Sequence, residues 1–189
     1  MTTFVDWYHA DISLSRREAD LLIRECTPDG ASLITRRLGD ATYAVYGHRD
    51  LVAAHPAAQG EARYAGCPWV GFAEDRLFFP RHKSWLDERL AAAAAPPPRL
   101  RATGIETLLE AVGAGVGLGI VPCYFGDRRP DLVRLTAPIA ALTSHYHLLI
   151  HRDVMREPAV RGAIDGIAAL FRRLRPALCG EPATPLAAE

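Results

Sequence analysis

The stretch 103–122, TGIETLLEAVGAGVGLGIVP, constrains this chain more than any other. Thr103 and Glu106 have capping-box spacing, a hydroxyl at the N-cap and a carboxylate three residues on. Ile105, Leu108, Leu109 and Val112 then fall at i, i+3, i+4 and i+7, one apolar face of a helix. Gly113, Gly115 and Gly117 are expected to end that helix, since glycine enters the left-handed region at no steric cost. Leu118, Ile120 and Val121 read as a short buried strand closed by Pro122. Helix, glycines, strand is the reverse of a dinucleotide fingerprint, so no phosphate is expected at GAGVGLG. The helix start at Thr103-Gly104 is another matter: its amides and partial positive charge suit a carboxylate ligand. An ordinary cap looks the same in sequence.

Bulk properties narrow the class. Lys+Arg and Asp+Glu number 22 each, a net charge of zero. That argues against this segment holding nucleic acid by itself, because phosphate neutralisation needs a basic surface. No basic-then-apolar leader and no apolar run of membrane-spanning length is present, so a cytoplasmic protein is expected. Cys26, Cys67, Cys123 and Cys179 are scattered without a CxxC pair, which fits reduced thiols. No cofactor motif and no complete metal-ligand set is found.

Along the chain, short apolar strands alternate with helical segments, the pattern of an α/β fold with parallel pairing. Residues 4–8 and 21–23 read as strands, the latter ending at Arg24-Glu25. Charged residues at a strand exit line ligand crevices in open α/β sheets, and equally mark where a chain meets water. A turn is expected at 27–30, TPDG. Residues 32–38 and 41–46 look like a hairpin or adjacent strands. A short helix over 48–55 ends at Pro56. PWVGF (68–72) reads as a strand, 73–80 as a loop presenting Phe78 and Phe79, and 82–95 as a helix ended by three prolines. Arg99 opens a strand into the central unit, residues 123–130 read as a loop, and 132–135 as another strand. SHYHLLIH (144–151) is a longer strand whose His145, His147 and His151 share one face. No carboxylate or cysteine completes a ligand set with them, so they read as structural or surface residues. The last helix starts at Glu157-Pro158, with Val160, Ile164, Ile167, Phe171 and Leu174 as its apolar stripe.

Taken in order, LSRREADLLIR, LITRRLGDATYAVYGHRDLVAAHP, PWVGF, LRATGIETLLEAVGAGVGLGIVPCYFGD, LVRL and LLIHRDVMREPAVRGAIDGIAALFRRL resemble the effector-binding domain of LysR-type transcriptional regulators. The resemblance runs from about Leu14 to Leu174. It implies an α/β, periplasmic-binding-protein-like fold of two lobes, with a small effector, often a carboxylate, held between them. It further implies a contact at Thr103 and, less directly, at Gly104, Arg24, Glu25, Gly71 and Phe72. Residues 1–47 would begin lobe I, 48–143 form lobe II, 144–180 return to lobe I, and 181–189 trail as a disordered tail. Departures accompany it: no helix-turn-helix precedes residue 1, and the first strand and helix of lobe I are not found. A first lobe lacking those parts is expected to expose a strand edge and associate. DNA would be reached only through a domain absent from this chain, and the full-length protein would form homo-oligomers. The reading is therefore a sensing module and not an enzyme. Two alternatives share the fold class: a transporter's solute-binding protein, and a small α/β enzyme with a dispersed site.

Overall fold

The computed structural model describes residues 20–25, 33–73, 80–155 and 157–181. In chain order the elements are β1 (Leu21–Arg24), β2 (Leu33–Ala41), β3 (Tyr43–His48), α1 (Arg49–Ala54), α2 (Arg63–Gly66), β4 (Val70–Phe72), α3 (Pro80–Ala92), β5 (Leu100–Ala102), α4 (Ile105–Gly113), β6 (Gly119–Pro122), α5 (Cys123–Gly126), β7 (Leu132–Arg134), β8 (Ser144–His151) and α6 (Pro158–Leu178). The expected strand at 4–8, turn at 27–30, Phe78, Phe79, Cys26 and nearly all of the tail lie outside the described residues. The chain divides into two units, residues 1–41 with 143–189 and residues 42–142. It passes between them at 41/42 and 142/143, whereas the sequence suggested 47/48 and 143/144.

In the first unit β8 is the central strand of the order β1-β8-β2, antiparallel to both neighbours. Alternation along β8 sends Leu148 and Ile150 to one face, where they pack with Leu21 and with Val160 and Ile164 of α6. Leu149 turns the other way, against Leu22 and Leu33. The buried stripe of α6 is Val160, Ile164, Ala168, Phe171 and Leu178. Leu174, placed in that stripe by the sequence pattern, is 40% exposed. The stripe advances from Ile164 to Ala168 by a step of four, which carries position 174 off the sheet. Pro176 sits in the last turn of α6, where it removes the amide that would bond the Arg172 carbonyl. Gly180, at φ +65°, closes the helix.

In the second unit β3 lies between β6 and β7, antiparallel to both, and β4 pairs with β5 in parallel. Both faces of β3 are covered. Tyr43 and Val45 join Trp69, Leu86, Leu118 and Ile120 in one core. Ala44 and Tyr46 join Val70, Phe72, Leu108, Val112 and Val121 in the other.

Three sequence expectations are corrected. Residues 32–38 and 41–46 do not form a hairpin: β2 pairs with β8, and β3 with β6 and β7. Among the described residues parallel pairing is confined to β4 with β5 and a bridge between Trp69 and Leu118. Strands that return to a sheet from far along the chain run against their neighbours, which local patterning does not reveal. Residues 123–130 begin with the short helix α5 and are not wholly irregular.

The glycines after α4 also divide their duties. Only Gly115 is left-handed, at φ +72°. Gly117 is needed for approach, because a Cβ there would lie 2.8 Å from the Pro68 carbonyl oxygen. Gly113 is the last helical residue and leaves room for the Arg129 guanidinium.

Candidate functional site

Helix α4 opens directly beyond the C-terminal end of β5. Its N-cap is Gly104, with extended backbone at φ −140° and ψ 164° and no side-chain cap. This corrects the sequence expectation: Thr103 is not the cap, and its hydroxyl is not spent on the helix. Gly104 takes extended backbone open to any residue, and the helix starts one residue later than the capping-box spacing suggests. Thr103 is exposed and Gly104 half-buried. The Gly104 carbonyl accepts from the Leu108 amide at 3.2 Å, the first full helical bond. Glu106 lies in the first turn, where its charge complements the helix dipole.

β4 ends beside β5, with Gly71 opposite Arg101 and Phe72 opposite Ala102. The Ala73 amide donates to the Ala102 carbonyl at 2.8 Å, which carries the pairing past Phe72 toward Thr103. Gly71, Phe72, Thr103 and Gly104 are thus brought to the C-terminal ends of two adjacent parallel strands, where open α/β sheets bind ligands. Their contributions differ. A side chain at Gly71 would point at Pro98 and Leu86, 3.1 and 3.3 Å away, so only backbone can face outward there. Phe72 is 4% exposed and belongs to the core beneath. Its ring meets His82 edge-on, with centroids 6.0 Å apart. His82 is itself buried, and burial, with Arg81 adding, pushes its pKa down to about 3. It is a neutral wedge between Tyr43 and Phe72.

A charged clamp holds this edge. Arg101 donates to the Phe72 carbonyl at 3.0 Å and to Asp87 Oδ1 at 2.9 Å, while Lys83 donates to Asp87 Oδ2 at 2.8 Å. Burial raises the Asp87 pKa, but the hydrogen bonds from Lys83 and Arg101 outweigh it and hold the carboxyl below its ordinary value. The sequence reading missed these three residues. The i, i+4 spacing of Lys83 and Asp87 was a usable signal for one pair; Arg101 joins only through the β4–β5 register.

Arg24 and Glu25 stand at the end of β1 in the first unit. Glu25 is exposed but engaged: Tyr146 donates to Oε1 at 2.9 Å and Ser144 to Oε2 at 3.1 Å. Both donors come from the buried face of β8. Glu25 therefore satisfies two buried hydroxyls, whatever else it meets. The histidines on the opposite parity of β8 separate. His145 lies 2.8 Å from Asp40, and His151 accepts from the Asp153 amide.

A second cluster lies elsewhere in the 42–142 unit. Tyr46 donates to Asp127 at 2.7 Å, and Arg134 grips the same carboxylate with Nε at 2.9 Å and Nη2. Burial first, then the bond to Asp127, pushes the Tyr46 phenol up, so it remains a donor. This staple ties β3 to β7 and the end of α5. The thiols of Cys67, Cys123 and Cys179 are free. Among the described residues no helix is long and apolar enough to cross a membrane.

No curated protein sequence matches this chain. Solved structures do, at identities that speak for fold alone. The regulatory domain of CrgA, a LysR-type transcriptional regulator from Neisseria meningitidis, superposes with a TM-score of 0.68 at 19% identity, over 87% of this chain and 81% of that one. Full-length LysG from Corynebacterium glutamicum with bound effector Arg gives 0.63 at 16%, over 85% and 53%. ArgP from Mycobacterium tuberculosis gives 0.58 at 16%, over 81% and 51%. The chain therefore spans about half the length of these last two. The LysR substrate binding domain family matches residues 5–172, and with its two α/β units this chain belongs to that family.

Proposed function

We propose that this chain senses a small effector bearing a carboxylate, and that the start of α4 receives it. The observation that carries the reading is the Thr103 hydroxyl, which does not cap α4, beside the Gly104 turn at the C-terminal ends of β4 and β5. A helix start without a side-chain cap offers amide donors and partial positive charge to an anion. Family membership and the LysG structure with its effector Arg support a sensing role, since arginine carries a carboxylate too. Binding would shift an equilibrium between conformations or assemblies of a longer regulator. Homo-oligomer formation and DNA contact through another domain belong to this proposal. Arg24 and Glu25 enter it as first-unit candidates, Gly71 through its backbone and Phe72 as the floor.

The test is a thermal-shift screen of small carboxylates on the wild-type chain and on Thr103→Ala. Since Thr103 does not cap α4, its loss should change stability by no more than about 0.5 kcal/mol. The shift produced by the best carboxylate should fall. An undiminished shift removes Thr103 from the site.

A further inference from the structure

The first unit carries a surface that this function does not use, along the outer edge of β2. Two cavities lie there in line. One, of about 330 Å³, has Ile34, Ile150 and Ile164 beneath Arg36, Arg161 and Asp165. The other, of about 330 Å³, has Leu38, Phe171 and Leu178 beneath Arg37, Arg172 and Arg175. On α6 the steps from Arg161 to Asp165, Arg172 and Arg175 are four, seven and three residues, so all four share one side of the helix. The cavities thus form one furrow between α6 and β2. From Ile34 to Asp40 it runs roughly 20 Å at the rise of a strand. Its floor is apolar and its rim charged.

The rim is not balanced. Arg36 pairs with Asp165 at 3.8 Å, and Arg37 with Asp40 at 2.6 Å. Arg161, Arg172 and Arg175 have no carboxylate partner among the described residues, a surplus of three positive charges. Beside the furrow runs the backbone of β2. Only β8 pairs with it among the described residues, and Thr35, Arg36 and Arg37 are exposed. Alternate N–H and C=O groups of such an edge point outward. The edge also selects its partner. A second copy pairing β2 with β2 would set arginines against arginines, which is destabilising. A strand bearing carboxylates would neutralise them.

We propose that this furrow and the β2 edge together dock an extended segment of a partner protein in which acidic residues alternate with apolar ones. The backbone of the segment adds a strand to β2, its apolar side chains enter the two cavities, and its carboxylates meet Arg161, Arg172 and Arg175.

The test uses the whole 189-residue chain and fluorescein-labelled peptides alternating Val with Asp, Val with Lys, and Val with Asp around a central Pro. Fluorescence anisotropy should show binding of the first alone, weakened by salt. Arg172→Glu with Arg175→Glu, both on the exposed surface, should weaken it about tenfold or more. Amide exchange over residues 33–41 should slow in the complex. Equal binding of the lysine or proline peptide, an undiminished affinity in the double variant, or unchanged exchange at β2 overturns the proposal. So does a dimer in light scattering that the acidic peptide dissociates, which assigns the furrow to a second copy.

Discussion

Glu106 in the first turn of α4 and the buried His82 of α3 both lend themselves to measurement. Glu106 stabilises its helix by about 0.3–1 kcal/mol through the dipole, yet it repels an anion approaching the same amides. Glu106→Gln should therefore lower the melting temperature slightly while tightening carboxylate binding in calorimetry. Weaker binding would place the effector's carboxylate elsewhere. His82 works through burial. Its folded pKa, near 3, lies below the ordinary 6.5, so between those values the unfolded chain binds the extra proton. The stability that neutral His82 permits is complete above pH 6.5 and is lost as pH falls toward 3. Denaturant melts of His82→Leu should show a shallower loss over that window, and parallel curves would contradict it. Glu106 is legible in sequence as an acidic residue at a helix start, but the role of His82 is not: it stands in a polar run, and only the Tyr43 and Phe72 rings around it show that it is inside.

At the level of elements, the sequence revealed periodicity well and pairing poorly. β8, α4 and the start of α6 follow from alternation, 3.6-residue spacing and Pro158, because those signals are local. That β3 leaves β2 to join β6 and β7 follows from contacts distant in the chain, such as the Val45 amide on the Thr136 hydroxyl, 91 residues on, at 3.0 Å, and no window contains both ends. The candidate site was legible to the same degree. Thr103 and Gly104 were found by motif, although the cap was assigned one residue early, while the Lys83–Asp87–Arg101 clamp needed the β4–β5 register. The turn from α4 to β6 supplies the element-scale test. Leu118 donates to Pro68 at 2.8 Å and accepts from Val70 at 2.8 Å, and Gly117 makes that approach possible. Gly117→Ala must push backbone against backbone, so a loss of about 1–3 kcal/mol is expected in urea melts. Gly60→Ala, with open space around it, is the control and should change stability far less.

For the molecule as a whole, the two units have different connectivity. Residues 1–41 and 143–189 are separate stretches joined by the β2–β8 ladder, from Leu33 opposite His151 to Ala41 opposite Ser144. Residues 42–142 are one continuous stretch with a core on each face of β3. Its ends are already tied, since the Ile139 amide donates to the Tyr43 carbonyl and the Leu142 amide to the Ile139 carbonyl, at 2.8 and 2.9 Å. About a hundred residues suffice for an independent core. The fragment 42–142 should therefore fold by itself, with near-ultraviolet dichroism from Trp69 and Trp85 and a single cooperative melt. Because the start of α4 and the ends of β4 and β5 lie wholly within it, the fragment should also retain a weak, Thr103-dependent response to the best carboxylate. A fragment with helical far-ultraviolet signal but no cooperative transition would show that the cores around β3 are insufficient. A folded fragment with no Thr103-dependent response would instead contradict the placement of the site at the start of α4.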